Sequence, residues 1–201
     1  MSLHILLLGD SHVKGLDCIL RSMLPAVTSK FVDVQSMYYP GITTPSLLDK
    51  LDRLHANRQK YTHIITMIGT CDITTKDTSV FKDTTSDIIN NINRLTSTIE
   101  HMTQAQVMTI SIPPKATPIT PCQHASAQRY NITQETAARY NWTVHYINNK
   151  LANTIPVKQI WKQSRGRRYG NITNFTDDCL HLNMSGKVHV VSNIIKSMTN
   201  L

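Results

Sequence analysis

The stretch Leu3-His4-Ile5-Leu6-Leu7-Leu8-Gly9-Asp10-Ser11-His12 decides the fold of this chain. Its apolar part, residues 3–8, predicts a fully buried strand, because a strand that is apolar on both faces needs cover on both sides. Residues 13–23 then carry apolar side chains at helical spacing, and Pro25 stops that pattern. We therefore expect Ser11 at the turn between a strand and a helix.

A serine at such a turn has two interpretations. Its hydroxyl can project from the carboxyl edge of a sheet, and its backbone N–H lies at a helix N-terminus. Both properties suit a nucleophile, which needs exposure and a donor for the developing oxyanion. Asp10-Ser11 is also an ordinary pair of residues for the start of a helix. These residues alone leave both interpretations open.

The rest of the chain alternates predicted strands and helices. Further strands are predicted at Phe31–Ser36, Ile64–Ile68, Val107–Ile112 and Val157–Trp161. Helices are predicted from Thr44 and Pro45, across Ile88–Met102, and at about Ser126–Leu151 and Met184–Met198. This alternation predicts an α/β fold, a three-layer α/β/α sandwich around a roughly five-stranded parallel sheet. Ligands of such sheets bind outside the carboxyl ends of the strands.

Length and composition limit the class of protein. The chain has 201 residues, of which 40% are hydrophobic, and this predicts one globular domain over residues 1–201. No apolar stretch approaches the ~20 residues that span a bilayer, and no basic leader precedes the first strand. We therefore expect no transmembrane segment and a cytoplasmic location, with a nuclear one left open. Four widely spaced cysteines argue against a disulfide framework.

The net charge of +8 is unevenly distributed, since no acidic residue lies between Glu135 and Asp177. A basic stretch of this kind attracts phosphates, which predicts an anionic partner such as nucleic acid or an anionic membrane surface. A solvated basic face is the alternative. The candidate anion-binding residues are Arg139, Lys158, Lys162, Arg165, Arg167 and Arg168.

Asp178 and His181 immediately precede the last predicted helix. If that helix packs back on the sheet, both residues reach the same edge as Ser11. Their spacing lets the carboxylate meet one ring nitrogen while the other nitrogen takes a proton from the serine, as in a catalytic triad. A helix cap with a surface ion pair is the alternative interpretation.

Four segments, taken together, resemble the sequence blocks of the SGNH (GDSL-type) hydrolase family. They follow the family's order and extend over nearly the whole chain. The segments are Gly9-Asp10-Ser11, the loop around Gly41, Gly69-Thr70-Cys71-Asp72 and Asp178-x-x-His181. The resemblance implies a flavodoxin-like SGNH hydrolase fold and ester hydrolysis without a metal or an organic cofactor. Residues 40–44, 69–73 and 112–114 further resemble SGNH domains of animal retroelements and some viruses.

The resemblance also implies a role for individual residues. Ser11 would be the nucleophile, His181 the base and Asp178 the group that orients the base. The oxyanion hole would comprise the backbone N–H groups of Ser11 and Gly41 together with residue 71, and the supporting residues would be Asp10, Gly69 and Asp72.

Cys71 departs from the family pattern, which has Asn at this position. The amide of that Asn donates to the oxyanion, whereas a thiol is a weaker and shorter donor. Losing one such donor costs on the order of 3 kcal/mol, or roughly a hundredfold in rate. Three interpretations stay open: a degraded site, replacement by Thr70 or a bound water, or separate chemistry of Cys71 with Cys179, including a metal site with His181. His12 is expected to face solvent.

Two functions follow from these observations. The first is a serine esterase for short, acetyl-type acyl esters, because the chain is short and has no evident lid insertion or long apolar binding segment. The second is a weak or inactive module of the same fold that binds RNA or another anionic partner. The presence of Ser11, Asp178 and His181 favours the esterase, while Cys71 and the basic stretch favour the binding module.

Overall fold

A computed structural model describes residues 2–28, 30–51, 60–75, 81–116, 133–164 and 167–199. Its centre is a parallel sheet of five strands in the order β2-β1-β3-β4-β5. The strands are β1 (Leu3–Gly9), β2 (Val32–Tyr38), β3 (His63–Met67), β4 (Gln106–Ile110) and β5 (Thr154–Ile155). The predicted α/β class and the parallel sheet are therefore confirmed.

Helices cover both faces of this sheet. They are α1 (Leu16–Met23), α2 (Thr44–Leu48), α3 (Thr70–Thr75), α4 (Phe81–Thr103), α5 (Gln134–Asn148) and α6 (Met184–Thr199). Helices α1 and α6 contribute to one apolar core, and α2, α4 and α5 contribute to the other. None of the helices in the described residues is long and apolar enough to cross a membrane.

Strand β1 explains the uninterrupted apolar run that opens the sequence. Ile5 and Leu7 face the core formed with α1 and α6, whereas Leu6 and Leu8 face the opposite core. All four side chains are at most 1% exposed. Burial of each such side chain contributes about 1.5–3 kcal/mol, so a polar residue on either face would be costly.

The carboxyl edge of β1 depends on a glycine. A Cβ atom at Gly9 would lie 1.9 Å from the carbonyl oxygen of Met67 on the neighbouring strand. The next residue, Asp10, donates its backbone N–H to that same oxygen at 3.1 Å. Gly9 thus lets β1 and β3 approach closely where the chain turns toward Ser11.

The predicted strand at Val157–Trp161 was wrong. The fifth strand is the earlier pair Thr154–Ile155, and Pro156, which has no backbone N–H, directly follows it. Lys158–Ile160 form a 3₁₀ turn, whose apolar residue is buried without strand pairing. The chain then forms a separate antiparallel hairpin of β6 (Trp161–Ser164) and β7 (Arg167–Gly170).

Other predicted boundaries shift by short distances. Helix α2 begins one residue early, with Thr43 as its N-cap, and α5 begins at Gln134 behind a capping box formed by Thr133 and Thr136. The predicted start of that helix, residues 126–132, lies outside the described residues. Helix α6 has nearly the predicted bounds, and its buried side chains include Val190, Val191, Ile194 and Ile195.

Candidate active site

The carboxyl edge of the sheet gathers the loops that follow β1, β2 and β3, together with the turn that precedes α6. After β1 the chain forms a 3₁₀ turn, Ser11–Val13, capped by the side chain of Asp10. Helix α1 begins only at Leu16, after Gly15 in a left-handed conformation with φ of 79°. Ser11 therefore lies between β1 and α1 as predicted, but its backbone N–H begins a 3₁₀ turn and not α1, which starts five residues later.

Ser11, His181 and Asp178 form one hydrogen-bonded chain. The Ser11 Oγ lies 3.1 Å from His181 Nε2, and His181 Nδ1 lies 2.6 Å from Asp178 Oδ2. Ser11 is half-buried, and 37% of the His181 side chain is exposed, so a small molecule can reach the pair from solvent. The structure thus brings together the three residues that the sequence analysis selected.

The turn around Asp178 holds its carboxylate in the ionised form. The Oδ1 atom accepts hydrogen bonds from the Thr176 hydroxyl at 2.6 Å and from the backbone N–H groups of Leu180 and His181 at 2.9 Å each. Burial opposes ionisation, but the bonds from His181, Thr176 and the two backbone groups keep the pKa of Asp178 well below its usual range. A charged Asp178 fixes the orientation of the His181 ring.

His12 does not face solvent, which corrects the expectation from the sequence. It is 3% exposed, with Nδ1 at 3.0 Å from Asp10 Oδ1 and Nε2 at 3.1 Å from the carbonyl oxygen of Leu180. The 3₁₀ turn causes this, because Asp10 also accepts the His12 backbone N–H at 2.9 Å and draws the ring inward.

The environment of His12 favours its charged form. Burial lowers the pKa of this imidazole, but the Asp10 carboxylate and the hydrogen bonds to Asp10 and Leu180 raise it above its ordinary value. Both ring nitrogens face acceptors, which suits an imidazolium with two donors. The ring lies 5.5 Å, centroid to centroid, from that of His181. His12 therefore links the Ser11 turn to the turn that carries the candidate base.

Two backbone donors are available for an oxyanion. Among the described residues, neither the N–H of Ser11 nor that of Gly41 meets a hydrogen-bond acceptor. Gly41 is the third residue of a turn in which Ile42 N–H donates to Tyr39 C=O at 3.2 Å. Its φ of 76° is the left-handed value that a type II turn requires there, and Pro40 fits the position before it.

Asp72, predicted as a supporting residue, is 2% exposed and binds the first residue of α2. The backbone N–H of Thr44 donates to both carboxylate oxygens at 3.0 Å, and its hydroxyl donates to Oδ2 at 2.9 Å. Gly69, two residues before Cys71, has a φ of 115° and lets β3 turn into α3. Asp72 thus ties the loop that carries Gly41 to the loop that carries Cys71.

Cys71 is half-buried at the start of α3, and burial together with Asp10 and Asp72 raises the pKa of its thiol to about 12. A thiol that stays protonated is a poor nucleophile and a poor metal ligand. No disulfide joins it to Cys179. In the described part of the chain, no group of three or more His, Cys, Asp or Glu side chains could hold a metal ion. Thr70, the alternative donor, is 6% exposed, and its hydroxyl neighbours the Tyr140 phenol.

Lys115, which the sequence analysis missed, is buried near Cys71. It follows β4 and is 6% exposed, and its Nζ lies 4.2 Å from the centroid of the Tyr140 ring. The side chain of Asn141 holds its backbone, accepting the Lys115 N–H at 2.7 Å and donating to the Lys115 carbonyl at 2.9 Å. Burial lowers the pKa of Lys115 to about 8, and the nearby Cys71 acts in the opposite direction. No local pattern in the sequence indicates that this lysine is buried.

Only some of the candidate anion-binding residues lie together. Lys158, Lys162 and Arg168 line a cleft of about 530 Å³ beside β5, together with His145 and Trp161. None of the residues of the Ser11 chain lines this cleft. Arg139 lies elsewhere and is 3.5 Å from Glu135, one helical turn earlier. Arg165 and the side chain of Arg167 lie outside the described part of the structure.

Comparison by sequence identifies no relative of this chain. No family model matches it, and no curated protein matches it either. Its similarity to known proteins is therefore a similarity of structure.

Several solved structures of ester-hydrolysing enzymes resemble the chain over nearly its whole length. A lipase from a goat rumen metagenome has a TM-score of 0.71 at 15% identity, covering 98% of this chain and 97% of that chain. The aryl esterase of M. smegmatis has a TM-score of 0.68 at 16% identity and covers all of both chains. The lipase/acylhydrolase of Enterococcus faecalis has a TM-score of 0.66 at 17% identity, covering 98% and 96%. At these identities the comparison establishes the fold, and the chain has the fold of this group of esterases and lipases.

Proposed function

We propose that this protein is a serine esterase that hydrolyses short acyl esters. The observation that carries the proposal is the hydrogen-bonded chain from Ser11 through His181 to Asp178. It has the serine, base and orienting carboxylate that acyl transfer requires. The fold shared with lipases and an aryl esterase supports the same reaction class.

In the proposed mechanism the Ser11 oxygen attacks the ester carbonyl carbon while His181 Nε2 takes the hydroxyl proton. The carbonyl electron pair moves to oxygen, giving a tetrahedral intermediate with one negative charge. When that pair returns, the bond to the alkoxy oxygen breaks and His181 donates the proton to the leaving alcohol. Water repeats both steps and releases the acid from Ser11. Asp178 stays ionised and stabilises the charged His181.

The N–H groups of Ser11 and Gly41 are the proposed donors to the oxyanion. Cys71 adds little, because a thiol is a weak donor. Unless another group replaces that amide, turnover is expected to be slower on the order of a hundredfold than in a site with an amide at this position.

The proposal is tested with p-nitrophenyl acetate, a short-chain aryl ester. Ser11→Ala is expected to abolish turnover, and Cys71→Asn is expected to raise kcat by adding an amide donor. Cys18→Asn is the matched control, since Cys18 is exposed on α1, outside the proposed site, and should leave kcat unchanged. Equal hydrolysis by the wild type and Ser11→Ala, on this ester and on longer acyl esters, would contradict the esterase proposal.

A second candidate function, binding of a phosphate-bearing partner, rests on the cleft beside β5. Lys158, Lys162 and Arg168 converge there, and the described residues that line the cleft include no carboxylate. Arg168 Nη1 lies 3.0 Å from His145 Nδ1. Burial lowers the pKa of the His145 imidazole, and the positive charge of Arg168 lowers it further. The cationic side chains therefore have the neutral His145 ring as a neighbour, and Trp161 adds an aromatic surface. Positive charge beside an aromatic ring suits the binding of single-stranded nucleic acid.

Fluorescence anisotropy of a labelled single-stranded RNA measures this second function. Reversal of charge in Lys158→Glu/Lys162→Glu should weaken binding and reduce its salt dependence, because fewer counterions are released. Lys14→Glu/Lys196→Glu, which changes the net charge equally outside the cleft, is the control. Equal weakening in both pairs would mean that only net charge matters, and a preference for anionic vesicles would identify a membrane instead.

The narrower resemblance to retroelement and viral domains, and a cytoplasmic location, stay predictions.

A further inference from the structure

Lys115 is a buried cation, and none of the carboxylates in the described part of the chain forms an ion pair with it. Among the described residues its ammonium group makes no salt bridge, and its recorded contact is with the face of the Tyr140 ring. The cation–π contact offsets only a part of the cost of burying a charge. Packing alone does not explain a lysine at this position, because an apolar side chain would fill the same space without the cost of burying a charge.

The backbone around Lys115 is held rigidly at the carboxyl edge of the sheet. Besides the two bonds to Asn141, the Lys115 carbonyl accepts the N–H of Gly170 at 3.2 Å. The next residue, Ala116, donates to the carbonyl of Cys179 at 3.0 Å, inside the turn that carries Asp178 and His181. The loop that carries the ammonium group therefore contacts the turn of the candidate base directly.

The groups around Lys115 leave its charge available. Cys71 on α3 lies near it, and Tyr140 on α5 lies beneath it. Burial raises the pKa values of both the Cys71 thiol and the Tyr140 phenol, so both groups are neutral near pH 7. The carboxylates that act on these two groups, Asp10 and Asp72, are already bound to His12 and Thr44.

We propose that the Lys115 ammonium stabilises the negative charge that forms on the substrate carbonyl oxygen, in place of an amide at position 71. The inference rests on the proposed esterase function. It assigns no new bond, since the electron pair and the proton move between Ser11, the ester and His181 as described. The contribution of Lys115 is its positive charge, which matters most when the oxyanion is formed and therefore affects kcat more than KM.

The test compares three substitutions. Lys115→Met removes the charge and keeps a long side chain, while Lys115→Arg keeps the charge. Lys60→Met is the matched control. The Nζ atom of Lys60 also lies over a tyrosine ring, 5.7 Å from the centroid of Tyr61. Lys60 precedes β3 and therefore lies at the opposite edge of the sheet. kcat and KM for p-nitrophenyl acetate are measured from pH 6 to pH 10, with Ser11→Ala as the blank.

We expect Lys115→Met to lower kcat at pH 7 about tenfold to a hundredfold with little change in KM. In the wild type, kcat should fall as the pH rises through about 8, where Lys115 loses its proton. This fall should be absent in Lys115→Met and shifted to higher pH in Lys115→Arg, because arginine stays charged. Other groups facing the site that could contribute are His12, Cys71 and Tyr140. Since all three remain in Lys115→Met, the part of the fall that disappears there belongs to Lys115.

Three results would overturn the proposal. They are a kcat for Lys115→Met equal to that of Lys60→Met, an unchanged alkaline fall in Lys115→Met, and no recovery of kcat when Cys71→Asn is added to Lys115→Met. The rate at which a fluorophosphonate labels Ser11 gives a second readout that does not need turnover. It is informative because attack of the Ser11 oxygen on the phosphorus also places negative charge on an oxygen. Labelling that depends on Lys115 without ester hydrolysis would support this inference and contradict the proposed function.

Discussion

The carboxylate of Asp72 accepts both the backbone N–H and the hydroxyl of Thr44, and these bonds join α3 to the start of α2. Asp72→Ala should leave the buried N–H of Thr44 without its partner and cost about 1–3 kcal/mol of stability. The loop with Gly41 should then lose its fixed position, so kcat should fall as well. Thr44→Val keeps the backbone donor and should cost only about 1 kcal/mol. Urea unfolding and ester hydrolysis measure both effects, and a Thr44→Val variant as impaired as Asp72→Ala would contradict this account.

His12 and Asp10 should make stability depend on pH on the alkaline side. The pKa of His12 is raised on folding, so its stabilisation is fully present below about pH 6.5, the unfolded value, and is lost as the pH rises through the folded value. His12→Gln should lower the free energy of unfolding by about 3 kcal/mol at pH 6, because it leaves Asp10 buried without its cation. The loss should shrink toward pH 9. Urea titrations of both proteins at several pH values test this, and parallel curves would rule it out.

Lys115 should have opposite effects on stability and on catalysis. Its pKa falls from 10.5 to about 8 on folding, so the unfolded chain binds more protons between these values and stability rises with pH there. Lys115→Met should therefore raise stability by up to about 3 kcal/mol at pH 7, and the gain should vanish above about pH 10. Thermal unfolding at pH 7 and pH 10 is the measurement, with Lys60→Met as the unchanged control. A destabilised Lys115→Met would show that the charge is better compensated than the structure indicates.

Two glycines of the candidate site should respond differently to alanine. At Gly41 a Cβ atom meets nothing within 4 Å, but the φ of 76° costs a non-glycine residue about 1–2 kcal/mol. Gly41→Ala should fold with reduced stability and lose kcat as the N–H moves. Gly9→Ala should fail to fold, since its Cβ would lie 1.9 Å from the Met67 oxygen. Circular dichroism distinguishes the two, and a well-folded Gly9→Ala would contradict the packing described for β1 and β3.

The sequence predicted those features that depend on local patterns. The buried strand before Gly9 and the Asp178–His181 spacing are visible in the chain, because hydrophobic period and short turns are local properties. The positions of His12 and Lys115 were not predictable in this way. Each is buried by groups distant in sequence, Leu180 for His12 and Tyr140 for Lys115, and burial of a charged side chain is normally unfavourable. The misplaced fifth strand has a similar cause, since the apolar Val157 and Ile160 fill the core from a turn.

The bond from Gly170 to Lys115 connects the hairpin beside the basic cleft to the loop behind the candidate active site. Through this bond, a ligand that moves the hairpin would also affect the Ser11 site, and an inhibitor bound at Ser11 would affect the hairpin. By thermodynamic linkage, each must change the affinity for the other by the same factor. The affinity for RNA, measured before and after a phosphonate is attached to Ser11, gives that factor. A factor of one would mean that the cleft and the edge of the sheet behave as independent sites on one rigid body.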